Sequence, residues 1–397
     1  MESVELLIVG CGPGGGTAAR EAARRGIETL VLERDPIVGA KRVCAAGLRP
    51  GFCTEFNLPR SIVHLDAPVI ALHSPSAQRY EFAIGPSHTT TREELDGTIE
   101  SLARGEGAQI RTHALFRSLR RERDRVVVEY ADLDAGERRS VAARAVFLAQ
   151  GATARLEASP FAHAGWSDGL ITCLQYRVYL ARPAREAAYG TLELHYYRST
   201  RSGRAVIGWM FPKRDHLAIG LGIAAKLSGR ELRAELDAFV PRVLERLAPA
   251  TDYTLKEEGS LLYGGAPRTR IADERVMVGG TAAGLVDATT GEGIHEAAAS
   301  GRFAAEAVAA TRGSGRVPGP AYVRATTRTF FGRLRHRHRL MQFLEHRPAR
   351  FDVLFRQLTD NPKFAELLQH DRNDFTFGQW AYLYRQAATF SLRALRA

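Results

Sequence analysis

The 397-residue sequence predicts an α/β fold joined to an antiparallel, β-rich part and a C-terminal helical region. Three observations lead there. Near the N-terminus an apolar run enters a glycine-rich turn and then an alanine-rich stretch of helical character. A second strand–glycine–helix pattern returns only after residue 275. Between the two, runs of alternating apolar and polar residues recur with turn residues at their ends.

The first pattern is VELLIVGCGPGGGTAAREAARRGIETLVLERD, residues 4–35. Val4 to Val9 is continuously apolar, which marks a strand buried on both faces. Gly10, Gly12 and Gly15 follow in G-x-G-x-x-G spacing, Thr17 to Arg25 reads as a helix, and Glu28 to Glu33 as a second strand ending in an acid. This is the arrangement a dinucleotide needs. Gly10 permits the tight turn, Gly12 lets backbone approach a pyrophosphate, Gly15 lets helix and strand pack, and the helix N-terminus faces the anion. Glu33 stands where an acid accepts the ribose hydroxyls of an adenosine, which favours FAD or NAD over NADP. Pro13, Gly14 and Arg34 belong to the same cradle, although the spacing alone gives Gly14 and Gly16 no role. A bare glycine-rich turn is the bland alternative; the flanking strand, helix and acid argue against it.

Further along, residues 39–48 form a loop, Arg92 opens a helix with Asp96 one turn later, and RAVFLAQGATAR (144–155) is a strand ending near Gly151. VMVGGTAAGLVDATTGEGIHEAAASGRFAAEAV (276–308) places a strand at Val276–Val278 and a helix beginning near Gly293. Residues 188–197 and 203–223 supply alternating strands. RAVIGWMFP and HLAIGLGI read as a hairpin turning through FPKRD, with Trp209 and Phe211 on one face.

Composition sets limits. Hydrophobic content of 45% and charged content of 25% are those of a globular protein with a sizeable core. No apolar run approaches the ~20 residues of a spanning helix, and the N-terminus reads as a strand rather than a cleaved signal. Cys11, Cys44, Cys53 and Cys173 show neither metal-ligand spacing nor a disulfide framework, so a reducing, cytoplasmic setting and no metal are expected. The net charge of +11 invites an anionic partner. Nucleic acid is the weakest choice, because no nucleic-acid fold signature accompanies the charge. Arginine dominates, with only five lysines, and two of those, Lys41 and Lys213, fall within motifs.

Those motifs are the N-terminal fingerprint, K-x-x-C at Lys41 and Cys44, W-x-F-P at Trp209 to Pro212, and A-A-G-x-x-D-x-x-x-G-E-G-I at 282–294. Their order and spacing resemble the flavoprotein hydroxylase and reductase superfamily, and within it the geranylgeranyl reductase family, over most of residues 1–310. The resemblance implies a discontinuous Rossmann-type FAD-binding domain (1–65, 86–165 and 266–318), a β-rich substrate domain (66–85 and 166–265) and a helical region (319–397). It implies that Gly280, Thr281 and Gly284 pass beside the pyrophosphate and ribityl chain. It implies that Gly291, Gly293 and Ile294 bring a helix N-terminus to the flavin ring. Lys41, Cys44, Ala45, Arg92 and Gly151 complete the cofactor contacts.

Departures from the family pattern are Thr281 and Gln150, each where relatives carry an acid, and Ala288 in place of a proline. By the same resemblance, the activity is hydride transfer from reduced flavin N5 to a C=C bond of an isoprenoid. NADPH or ferredoxin, the latter an electron-donor protein, would be the external donor.

Cys44, Trp209 and Tyr197 are the catalytic candidates, with Tyr196 a further proton source, and Trp209, Phe211 and His295 the substrate contacts. Each has a structural alternative: a core cysteine, a packed aromatic, a helix residue beside a polar neighbour. Lys213 is expected to form a surface ion pair. Residues 320–397 carry arginines interleaved with apolar residues, as at Phe330 to Leu344. This reads as a solvated basic face whose apolar side caps the other domains, with contact to an anionic membrane as a further role. The rival functions are an FAD monooxygenase or halogenase on the same fold, and a non-catalytic prenyl-lipid carrier.

Overall fold

The computed structural model describes residues 1–39, 43–154, 156, 159–224, 227–247, 252–369 and 376–396. The first half forms β1 (Glu2–Val9), α1 (Pro13–Ala23), β2 (Thr29–Leu32), β3 (Gly47–Leu48), α2 (Phe52–Glu55), β4 (Leu65–His73), β5 (Arg79–Thr89), α3 (Arg92–Gly105), β6 (Gln109–Arg111), β7 (Ala114–Arg121), β8 (Val126–Asp132) and β9 (Glu137–Leu148). The second half forms β10 (Leu170–Leu180), α4 (Arg182–Glu186), β11 (Thr191–Arg198), β12 (Ala205–Pro212), β13 (Leu217–Ile223), α5 (Gly229–Leu247), β14 (Tyr253–Tyr263), β15 (Val276–Val278) and α6 (Ile294–Thr311). Five further helices close it: α7 (Gly319–Thr326), α8 (Gly332–His346), α9 (Ala349–Asp360), α10 (Pro362–Gln369) and α11 (Phe377–Arg396).

Two sheets organise the molecule. The first has the order β6-β2-β1-β9-β8-β7, with β15 also on β9. Its β6, β2, β1, β9 and β15 run parallel, and β7 and β8 continue it antiparallel. Leu6, Leu7 and Ile8 are fully buried in its centre, as a doubly covered strand requires.

Helix α1 is held between α3 and α6 by missing side chains. A Cβ on Gly16 would come 2.8 Å from Ile99 Cγ2 of α3, and one on Gly14 would come 3.0 Å from the Ala297 carbonyl of α6. Gly301 repeats the device from α6, 2.0 Å from the Gly14 carbonyl. The helix therefore begins at Pro13, not Thr17. Proline is pre-organised for a first helical position, and the extra glycines are helix-packing residues within the first turns.

The second sheet has the order β14-β10-β13-β12-β11-β4-β5-β3. It is antiparallel except where β11 lies parallel to β4, so the expected purely antiparallel sheet is mixed at one pair. Side chains alternate across it. Val206 and Met210 face α5, whose Leu236, Phe239 and Val243 cover that side. Ile207, Trp209 and Phe211 face the opposite way, toward α8 and α9. Met341, Leu344, Phe351 and Phe355 pack there against Leu192, Leu194 and Tyr196, so the C-terminal helices cover the free face of the sheet. Among the described residues no helix is long and apolar enough to cross a membrane.

Candidate active site

A cavity of about 1360 Å³ runs from the glycine turn after β1, between the two sheets, to the C-terminal helices. At its first end Gly10 adopts φ +94°, and a Cβ there would meet the Ala149 carbonyl at 2.6 Å. Gly12 caps α1 without any side-chain acceptor. Gly10, Gly12, Pro13, Gly14 and Arg34 line the cavity, whereas Gly15 lies beneath, its missing Cβ 1.8 Å from the Gly10 carbonyl.

Glu33 accepts from the Cys11 amide at 2.6 Å and the Asp35 amide at 3.0 Å. Burial nevertheless pushes its pKa up, against the pull of those two amides. Arg92 lines the floor and chelates Asp96 at 3.0 Å. Burial alone would lower the guanidinium pKa; the Asp96 carboxylate outweighs it, with Cys44 adding, so Arg92 stays charged.

The third chain segment closes this end. Gly280 (φ +55°) donates its amide to Ser300 Oγ at 3.0 Å, and Thr281 lies beside it on the wall. Gly291, Gly293 and Ile294 line the cavity where α6 begins, and Gly293, like Gly12, caps its helix without a side chain. Gly151 (φ +73°) and Gln150 complete the wall, and Gln150 Oε1 is buried without a protein partner. Two uncapped helix N-termini, a buried acid and an orphaned amide oxygen thus meet in one space. Those residues fit a dinucleotide bearing a ring system that gains negative charge on reduction. Gly284 is not on the cavity: its φ is +75° and a Cβ there would come 3.0 Å from Pro267 and 3.1 Å from Tyr263, so it serves a buried turn.

The loop before β3 carries Cys44 and Ala45 onto the cavity wall; Lys41 lies outside the described residues. The Ala46 amide donates to Cys44 Sγ at 3.3 Å, and Ala46 itself sits at φ +46°. Lys213 secures this loop. Contrary to the surface ion pair expected, Lys213 is 1% exposed and donates Nζ to the Ala45 carbonyl at 2.5 Å and the Ala46 carbonyl at 3.3 Å. Burial pushes its pKa down to about 7, partly offset by Cys44. The hairpin turn buries it because the Ala45 carbonyl and the Ala46 carbonyl, the latter also accepting the Thr90 amide at 3.0 Å, lie across from it and replace its hydration.

Trp209 and Phe211 line the middle of the cavity. The indole donates to Gln175 Oε1 at 2.9 Å and covers Gly220; the Phe211 ring lies over Gly47. Tyr196 also faces inward and donates to the Thr289 carbonyl at 2.8 Å. Its neighbour Tyr197 cannot share that face. Strand alternation turns it to the other side of the sheet, where it stacks with Phe239 of α5 at 5.8 Å, so it is away from the cavity.

His295 is likewise turned away from the substrate side. It bonds Glu55 at 2.9 Å and packs among Phe52, Phe56 and Phe330 on the far side of α6. Also on the α5 face, His73, Glu193 and His195 converge within metal-ligand reach of one another, and Arg246 neutralises the carboxylate at 2.6 Å. This group lies on the opposite face of β11 from the cavity wall formed by Leu192 and Leu194.

Beyond Trp209 the walls become apolar: Ile70, Leu72 and Leu194 from the sheet, and Leu344, Phe351 and Leu354 from the helices. At the junction lies a buried ion network that sequence reading missed. Arg49 bonds Glu292 at 2.9 Å and Glu296 at 3.0 Å, Arg333 bonds Glu296 at 2.5 Å, and Arg337 approaches Asp287 at 3.4 Å. Arg333 and Arg337, one helical turn apart, line the cavity, so part of the supposedly solvated basic face points inward. Their only sequence signal is the i, i+4 spacing beside Leu334, Met341 and Leu344. The acids that draw them in come from another segment.

No family model matches the chain. Its curated relatives include the chloroplastic geranylgeranyl diphosphate reductase of Nicotiana tabacum, 29% identical over 77% of this chain and 66% of the relative. This chain thus spans just under two thirds of that relative's length. They also include geranylgeranyl diphosphate reductase of Synechocystis sp., 26% identical over 96% of this chain and 92% of the relative. A third is the digeranylgeranylglycerophospholipid reductase of Thermoplasma acidophilum, 26% identical over 77% and 78%. Among solved structures, a geranylgeranyl bacteriochlorophyll reductase-like protein from Thermoplasma acidophilum superposes with TM-score 0.71 at 21% identity, covering 100% of this chain and 98% of the other. The flavin-dependent brominase Bmp2 superposes with TM-score 0.73 at 17% identity over 92% of each chain. Both solved structures show the fold alone, and the three sequence relatives are reductases by name. The chain is thus a relative of the geranylgeranyl reductases, built on the two-sheet fold of the flavin-dependent oxidoreductases.

Proposed function

We propose that the protein is an FAD-dependent reductase that adds hydrogen across C=C bonds of an isoprenoid chain. One observation carries this reading: the dinucleotide cradle and the apolar tunnel are a single continuous cavity. An aromatic-substrate oxygenase has no need of a tunnel closed by Leu344, Phe351 and Leu354, and a pure lipid carrier has no need of two helix N-termini and Glu33 at its inner end. The reductase names of the sequence relatives point the same way.

When bound, reduced FAD supplies the hydride. The residues of this chain do the rest. Glu33 and the glycine turn would hold the adenosine and pyrophosphate. The α6 N-terminus, beginning beside Gly293 on the cavity, would offer its free amides to the flavin ring. Apolar side chains exclude water and align the alkene, contributing through orientation. Cys44 Sγ presents a transferable proton on the cavity wall, and Lys213 fixes the loop that positions it. Tyr196 is already committed to the Thr289 carbonyl, which makes it a wall residue before a proton source. Reducing equivalents arrive from an external donor, NADPH or a ferredoxin. The ion pairs of Arg49, Arg333 and Arg337 with Glu292, Glu296 and Asp287 set the polar end of the tunnel.

The test is anaerobic reduction of the FAD-loaded protein in the presence of geranylgeranyl diphosphate, followed by mass analysis of the lipid. Gain of hydrogen in pairs is expected. Gain of oxygen or halogen when air or halide is admitted would replace this reading with the oxygenase or halogenase one, and failure to take up FAD would leave a carrier.

A further inference from the structure

Helix α11 carries two apolar stripes, and only one of them is used by the fold. The inner stripe, Gln386, Phe390 and Ala394, is buried. Phe390 meets Phe343 at 5.9 Å, Gln357 donates to the Gln386 carbonyl at 2.9 Å, and the same cluster includes the tunnel residues Leu344, Phe351 and Leu354.

The outer stripe is Phe377, Ala381, Tyr384, Ala388, Leu392 and Leu395, spaced at three and four residues along one face. All six are exposed, with Phe377 at 89%, Tyr384 at 70%, Leu392 at 64% and Leu395 at 63%. These four are among the largest apolar side chains left in solvent anywhere in the described residues. A helix that needed only to cap the tunnel would carry polar residues on that side.

We infer that the outer face of α11 docks on an anionic membrane surface, lying in the plane of the headgroups. Three features select a bilayer as the occupant. The segment 376–396 contains no acidic residue, and Arg385 borders the stripe, exposed, where an arginine stem lies along apolar surface and its head meets phosphate. The whole chain carries a charge of +11, which favours an anionic surface. The stripe is about 27 Å long and about 10 Å wide, or roughly 270 Å². A stable protein interface needs about 800 Å² from each partner, so a second copy is poorly served by this face alone.

Trp380 and Tyr384, stacked at 5.9 Å near the start of the helix, are of the aromatic type that settles at a membrane–water interface. The docked helix has the tunnel cluster directly behind it. The proposal draws on the prenyl-lipid reading only for why a membrane is worth contacting; the docking face stands on α11 itself.

The experiment is co-sedimentation of the full chain with vesicles of phosphatidylcholine alone and of phosphatidylcholine with phosphatidylglycerol. The comparison is a variant carrying Phe377→Ser, Tyr384→Ser, Leu392→Ser and Leu395→Ser, all at exposed positions. The wild-type chain is expected to sediment with the anionic vesicles and the variant to bind at least about ten-fold less, with circular dichroism and flavin content unchanged. A wild-type chain that stays in the supernatant, or a variant that binds equally, overturns the inference. So does a wild-type dimer that the variant abolishes, which would make the stripe a self-interface. Because flavin content and reduction of a soluble prenyl diphosphate are read separately, failure here is distinguishable from failure of the reductase reading.

Discussion

Glu33, Lys213 and His195 show three ways a single buried group shapes this protein. Glu33 holds two backbone amides at the cradle, and a ribose would add further bonds to the same carboxylate. Glu33→Ala is expected to raise the FAD dissociation constant at least ten-fold, the loss of about 1.5–3 kcal/mol of charge-assisted hydrogen bonding, measurable by flavin fluorescence quenching. Lys213→Met removes the donor to the Ala45 carbonyl and loosens the Cys44 loop. Turnover is expected to fall at least ten-fold while FAD stays bound with a shifted flavin spectrum; unchanged turnover would strip Lys213 of its positioning role.

His195 is one source of acid sensitivity. Burial lowers its pKa to about 4 from 6.5, partly opposed by its bond to Glu193. The contribution of His195 to stability is therefore full above about pH 6.5 and declines toward pH 4, because in that window the unfolded chain takes the proton and the folded one does not. The loss from this one residue is on the order of 3 kcal/mol. His216, also lowered to about 4 by burial, adds to the same slope. A His195→Gln variant is expected to show a shallower decline of melting temperature between those pH values. Glu33 was legible because spacing from the glycines encodes its place. The environment of Lys213 was not, since its carbonyl partners lie about 168 residues away in sequence.

At the scale of elements, the contact between α1 and α6 is the joint that brings the first and third chain segments to one ligand. It is a backbone-to-backbone contact. A methyl at Gly301 would sit 2.0 Å from the Gly14 carbonyl and 3.0 Å from the Ala18 nitrogen. Gly301→Ala is expected to cost more than about 3 kcal/mol and to lose FAD, since overpacking against backbone cannot relax by rotamer change. Gly378→Ala, with nothing within 4 Å, is the control, and chemical denaturation of both is expected to show the control unchanged or slightly stabilised.

Elements with a strong local signature were legible. Val276–Val278 is a strand as expected, α6 starts beside Gly293, and the 203–223 hairpin turns at FPKRD. Two features escaped. The β7–β8 extension of the first sheet lies where residues 114–132 mix arginine into apolar alternation, a pattern compatible with any exposed strand. The parallel β4–β11 pairing joins strands more than a hundred residues apart, and no local pattern names a partner.

At the scale of the molecule, the cavity couples a nucleotide-binding sheet to an apolar tunnel capped by the C-terminal helices. The helices were legible as helices. Their inward arginines and their tunnel wall were not, because an amphipathic pattern gives a stripe but not what covers it. If the tunnel sets chain length, Leu354→Trp is expected to cut turnover of a geranylgeranyl substrate at least ten-fold while sparing a geranyl one, as read by product mass. Equal losses on both would show that the alkyl chain lies elsewhere.

The most direct test of the whole is a single turnover without oxygen. The FAD-loaded protein is reduced with one equivalent of dithionite and mixed with geranylgeranyl diphosphate, and the flavin absorbance and the lipid mass are followed together. Reoxidation of the flavin by the lipid, with two hydrogens gained per flavin, is the expected result. A flavin that stays reduced until air is admitted, over a lipid of unchanged mass, would contradict it.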